Sequence, residues 1–153
     1  MANTYTQLHI HFVFAVKYRR AMIQKSWKDN LHKYMAGIIQ KQGHKILIIN
    51  SAEDHIHLLV GLRPAQSISD LMEIVKSDSS AWINNSHLLP AQFNWQLGYS
   101  AFAVSKSGVD SVYKYILNQE EHHRKKSFNE EYLELLKENG IEFDEKYIFK
   151  DPE

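Results

Sequence analysis

The chain has 153 residues, no cysteine and a formal net charge of zero. That length suits one domain with a sizeable core, and the missing cysteines exclude disulfides and thiolate metal sites. No run approaches the roughly 18 apolar residues of a membrane span, and the N-terminus lacks the apolar stretch of a signal peptide, so a cytoplasmic location is expected.

The charges are unevenly spread. Residues 1–50 hold eight Lys/Arg against one acid, whereas residues 120–153 hold eleven acids against six bases. A polar molecule with one positive face would follow, as in nucleic-acid binders. Two ordinary solvated helix surfaces would give the same count.

Residues 7–16 alternate and are rich in aromatic and β-branched types, which predicts a strand. Lys17-Tyr18-Arg19-Arg20 reads as a basic loop. It is either a phosphate clamp with Tyr18 stacking on a base or a charged turn. Residues 26–42 read as a helix with Ser26 as N-cap, an apolar stripe of Trp27, Leu31, Tyr34, Met35 and Ile38, and Gly43 at its end. A second strand over 44–51 and a third over 55–62 flank a turn at Glu53-Asp54, and Pro64 stops the third. A second helix runs from Ser67 to about Ile83, opening with a Ser-x-x-Asp start. Residues 84–94 are irregular, 97–105 form a fourth strand, a helix bearing Tyr115 follows, and a short helix near 128–139 precedes a polar tail. The order β-α-β-β-α-β predicts a ferredoxin-like α+β fold with strand order 4-1-3-2 and extra C-terminal helices. The third strand then lies centrally, beside the first.

Two motifs carry chemistry. Alternate residues of a strand share a face, about 7 Å apart, so His55 and His57 point the same way while Ile56, Leu58, Val60 and Leu62 face a core. In the Tyr115 helix, Val109, Val112, Tyr113, Ile116 and Leu117 form an apolar stripe. The opposite stripe carries Tyr115, Asn118, Gln119 and His122, with Tyr115 and Gln119 one turn apart. Together they offer two imidazoles and one amide oxygen for a divalent cation, with a phenol nucleophile beside it. A His-x-His pair alone is weak evidence. A triple-histidine hydrolase signature would need histidine at Leu59, and a barrel amidohydrolase needs a longer chain. His9 and His11 form a second pair, read as packing or hydrogen bonding beside the site. His122-His123 with Arg124, Lys125 and Lys126 reads as a solvated helix end or a phosphate patch. Trp95 reads as core or subunit contact.

Set in order, DHIHLLVGL at 54–62, Lys76 with Ser79-Ser80, FNWQLGYSAFAVS at 93–105 and VYKYILNQEEHH at 112–123 resemble the single-tyrosine transposases of the smallest bacterial insertion sequences. Those enzymes belong to the superfamily named for its His-hydrophobe-His motif and include REP-associated tyrosine transposases. The resemblance covers about residues 5–125 of what is expected to be a single transposase domain, 1–153, with an acidic C-terminal helix and tail at about 126–153. It implies a ferredoxin-like fold and single-stranded DNA with hairpins as substrate. It also implies Mg²⁺ or Mn²⁺ on His55, His57 and Gln119, and cleavage by Tyr115 through a 5′-phosphotyrosine. Family members are typically homodimers whose sites combine histidines of one subunit with the tyrosine helix of the other. The short link Ser105-Lys106-Ser107-Gly108 before that helix would serve as the hinge. Lys17, Arg19, Arg20 and Lys76 are the expected DNA contacts. A domesticated, non-catalytic hairpin-binding protein is the alternative.

Overall fold

The computed structural model describes residues 4–119 and 126–144. Four antiparallel strands, β1 (His9–Ala15), β2 (Lys45–Ser51), β3 (His55–Gly61) and β4 (Ser100–Val104), lie in the order β2-β3-β1-β4. This is the expected 4-1-3-2 order read from the other edge. In register, Val13 stands opposite His57 and Ala15 opposite His55, so the histidine strand is central.

Alternation sorts the two sheet faces. Phe12, Phe14, Ile56, Leu58 and Val60 are fully buried against α1 (Lys25–Lys41) and α2 (Ile68–Asn85). Trp27, Leu31, Met35 and Ile39 of α1 and Leu71, Met72, Val75 and Ile83 of α2 fill that layer. Ser67 Oγ accepts from Asp70 N at 3.1 Å, capping α2 as its sequence predicts. Gln24 rather than Ser26 precedes α1, and Gly43 closes it at φ +90°, a conformation that suits glycine. Tyr34, expected in the apolar stripe, is 37% exposed and stacks on Trp82 at 5.3 Å instead.

The other sheet face is covered by α3 (Val109–Leu117) and α4 (Phe128–Glu138). Here Val13, Ala15 and Phe102 pack with Phe128, Tyr132 and Leu136, and Tyr132 and Ser100 share a hydroxyl hydrogen bond. The predicted link before α3 is a 3-10 turn, Lys106–Gly108.

Two features depart from the sequence expectation. β4 is shorter than its extended run because the carbonyls of Gln96 and Gly98 turn to Lys76 Nζ, at 2.8 and 2.7 Å, and Gly98 takes φ +87°. In α3 only Ile116 of the expected apolar stripe is buried, while Tyr113 and Leu117 are 39% and 56% exposed. The helix docks on a histidine-bearing sheet face, so the stripe with Tyr115 and Gln119 turns inward. Asn50 of β2 fixes this pose by donating to the carbonyls of Ile116 and Leu117 at 2.9 and 3.2 Å.

Candidate active site

His55 and His57 project from β3 into the layer beneath α3 and α4, 1% and 0% exposed. Each ring is held from behind. His55 Nδ1 lies 2.7 Å from Asp54 Oδ1, the usual arrangement in which a carboxylate fixes the tautomer of a metal-binding imidazole. His57 Nδ1 lies 2.8 Å from His11 Nε2. The forward nitrogens converge on oxygens. His55 Nε2 is 3.2 Å from Gln119 Oε1 and 3.6 Å from Glu131 Oε1, and His57 Nε2 is 3.0 Å from the same Glu131 oxygen.

Glu131 is the site residue that the sequence did not reveal. One ligand atom each from His55, His57 and Glu131 lies within 4.8 Å of the others, and all three residues are buried. The signal was an acid inside an apolar stripe: Phe128, Tyr132 and Leu136 bury one face of α4, and Glu131 lies on it at 7% exposure. Phe128 stacks on the His55 ring at 4.1 Å, bringing α4 over the centre. The C-terminal segment, given no role from sequence, thus contributes a donor.

The electrostatics follow from these pairings. Burial would raise the Glu131 carboxyl, but hydrogen bonds from His55 and His57 outweigh it and hold the group well below the usual carboxylate range. Burial would lower His55, yet its hydrogen bonds to Asp54 and Glu131 win and raise it above the ordinary value. His11 is driven down to about 3, chiefly by burial and then by His57. Tyr115 is pushed above the ordinary phenol value by burial and by the Glu131 charge.

Tyr115 stands beside the centre, its ring edge-on to His57 at 5.8 Å. Gln119 follows the end of α3, fully buried, with its amide 3.4 Å from the Tyr115 carbonyl. One chain therefore brings together all four expected site residues: His55, His57, Gln119 and Tyr115. The donor set, two imidazole nitrogens, a carboxylate and an amide oxygen, fits a divalent cation of intermediate hardness.

The expected DNA contacts divide. Tyr18 is exposed at φ +59°, with Lys17 Nζ 5.4 Å and Arg20 Cζ 5.7 Å from its ring centre. The side chain of Arg19 and residues 120–125, with His122, His123, Arg124 and Lys125, lie outside the described residues. Lys126 pairs with Glu134 at 2.7 Å. Lys76 is occupied in bracing the 96–98 loop, and Trp95 is a core residue whose indole donates to Ser79 Oγ at 2.9 Å.

A four-stranded antiparallel α+β domain with a buried histidine–carboxylate centre and an adjacent helix tyrosine is an arrangement suited to phosphodiester chemistry. Residues 4–119 match the family described as IS200-like transposase, and the chain belongs to that family. It is 27% identical over 118 residues to the ISDra2 transposase TnpA of Deinococcus radiodurans, covering 74% of this chain and 84% of that protein. It is 30% identical over 80 residues to the transposase for insertion sequence element IS200 of Salmonella typhimurium, 52% of this chain and 53% of that one. Among solved structures, a candidate transposase of Deinococcus radiodurans superposes at TM-score 0.63 and 23% identity, covering 78% of this chain and 95% of its own. A REP-associated tyrosine transposase bound to a REP hairpin superposes at 0.61 and 14%, covering 80% and 73%. Family membership implies DNA-cleaving activity. Among the described residues, no helix is long and apolar enough to cross a membrane.

Proposed function

We propose that this chain is a cytoplasmic, single-domain transposase that cleaves and rejoins single-stranded DNA at hairpin-bearing ends, with Tyr115 as nucleophile. The observation that carries the reading is the Tyr115 ring beside two buried histidines whose Nε2 atoms face Gln119 and Glu131 oxygens. His55, His57, Gln119 and Glu131 would hold Mg²⁺ or Mn²⁺, which when bound supplies charge withdrawal from the scissile phosphate and orients it. Tyr115 Oη forms a bond to phosphorus, the bond to the 3′-oxygen breaks, and the phenol proton ends on the released 3′-hydroxyl. The 5′-phosphotyrosine keeps the bond energy, so a second 3′-hydroxyl reseals the strand without ATP. Asp54 orients His55 throughout, and the exposed Lys17-Tyr18-Arg20 cluster grips phosphates and a base.

The chain is expected to act as a homodimer. Tyr113 and Leu117 on the outer side of α3 are an apolar surface for a second subunit. If α3 exchanges between subunits, each site combines histidines of one with Tyr115 of the other.

A labelled single-stranded end substrate with Mn²⁺ should give an SDS-resistant protein–DNA adduct. Tyr115→Phe should lose the adduct and still bind DNA; retention in the Phe variant would assign another nucleophile. Mixing Tyr115→Phe with His55→Ala should restore activity if the sites are composite, and failure despite proven subunit exchange places each site in one chain. Replacing Lys17 and Arg20 together should flatten the log–log salt dependence of DNA binding by about one unit, since each neutralised phosphate releases about 0.7 of a counterion from single strands. An unchanged slope would move the contacts elsewhere.

A further inference from the structure

His11 takes no part in the chemistry above, yet it touches both halves of the centre. It is 3% exposed on β1. Its Nε2 lies 2.8 Å from His57 Nδ1, and the two rings stack with centroids 5.1 Å apart at 26°. Its other neighbours are Tyr115, edge-on at 6.2 Å, and Phe102 at 5.8 Å. The strand register explains the contact. Val13 is directly opposite His57, so His11 is the diagonal neighbour on the same face.

We infer that His11 is the positioning residue of the metal centre: it accepts the Nδ1–H of His57 and so turns the His57 Nε2 lone pair toward the cation. The inference rests on the metal-binding reading of His55 and His57. An imidazole that binds a cation through Nε2 carries its remaining proton on Nδ1, and that proton needs an acceptor in a buried site. Asp54 Oδ1 lies 2.7 Å from His55 Nδ1, and His11 Nε2, 2.8 Å from His57 Nδ1, is placed to accept that proton once the cation takes the His57 Nε2 lone pair. The two ligands are thus supported unequally, one by a carboxylate and one by a second imidazole. The same ring packs beside both His57 and Tyr115, which also meet each other edge-on at 5.8 Å.

Mn²⁺ binding to the metal-free protein, without DNA, is the measurement, read by titration calorimetry beside a thermal melt. His11→Phe keeps a ring and removes the acceptor, and His11→Leu asks the same with a smaller group. Both should weaken Mn²⁺ binding about 10- to 100-fold, the usual range for losing such a partner. His11→Gln, which places an amide oxygen near the lost nitrogen, should restore affinity to within about threefold of wild type. A further readout is the nitrogen-15 spectrum of the Mg²⁺-loaded protein: His57 should carry its proton on Nδ1 in wild type and lose that single form in His11→Phe. If His11→Phe or His11→Leu binds Mn²⁺ like wild type while His57→Ala does not, the positioning role is overturned and the metal centre stands. If Gln is as poor as Phe with an intact melt, the hydrogen-bond account is overturned. If wild type and His57→Ala are alike in failing to bind Mn²⁺, the metal centre itself fails, and this inference with it.

Discussion

The two faces of the sheet are made by the same strands and differ in almost everything else. Toward α1 and α2, β1 and β3 present Phe12, Phe14, Ile56, Leu58 and Val60, all fully buried, in a layer closed by apolar helix residues. Toward α3 and α4 the intervening residues are His11, Val13, Ala15, His55 and His57, met by Gln119, Glu131 and Tyr115. Burial on the first face is favourable whatever the partners, because it removes apolar surface from water. Burial on the second is favourable only if each polar atom is matched, since an unpaired buried charge or imidazole costs more than it returns. The histidine face meets that demand with a chain of partners: Asp54 to His55, His55 to Gln119 and Glu131, Glu131 to His57, and His57 to His11. One layer is thus apolar throughout, and the other keeps a hydrogen-bonded polar cluster in a place that stability alone would fill with leucine.

Perturbing the apolar face should have the largest effect on folding. Phe12→Ala should destabilise by about 3–5 kcal/mol in urea unfolding, the range for emptying a buried phenylalanine site. A loss under about 1 kcal/mol would mean that this layer is not the structural one. Glu131→Ala should cost about 3 kcal/mol, because it leaves two buried imidazoles without their shared carboxylate. A neutral or stabilising outcome would show the histidine cluster to be self-sufficient. Mn²⁺ at about 100 times its Kd should stabilise the wild type by about 2.7 kcal/mol. His55→Ala should abolish that increment, whereas a mild apolar change such as Ile56→Val should keep it. An increment surviving in His55→Ala would place the ion elsewhere.

Much of the molecule was legible from sequence because it depends on short-range periodicity. Alternation in residues 55–61 put His55 and His57 on one face and the core residues on the other, and the order of strands and helices predicted the observed 4-1-3-2 sheet. Ser67 and Gly43 marked helix ends through backbone hydrogen bonding and left-handed geometry, which are local properties.

The rest required the tertiary structure. Periodicity gives the stripes of a helix but not the surface it meets, so the inward turn of Tyr115 and Gln119 and the exposure of Leu117 became visible only with α3 on a polar sheet face. Lys76 is an expected DNA contact from sequence, and only the fold shows two carbonyls within 2.8 Å of its Nζ. Glu131 lies 74 residues from His57 in sequence and 3.0 Å from it in space. No local pattern encodes such a meeting. It is set by the packing of Phe128 and Tyr132 against the histidine face, which carries a carboxylate from the end of the chain to the imidazoles at its centre.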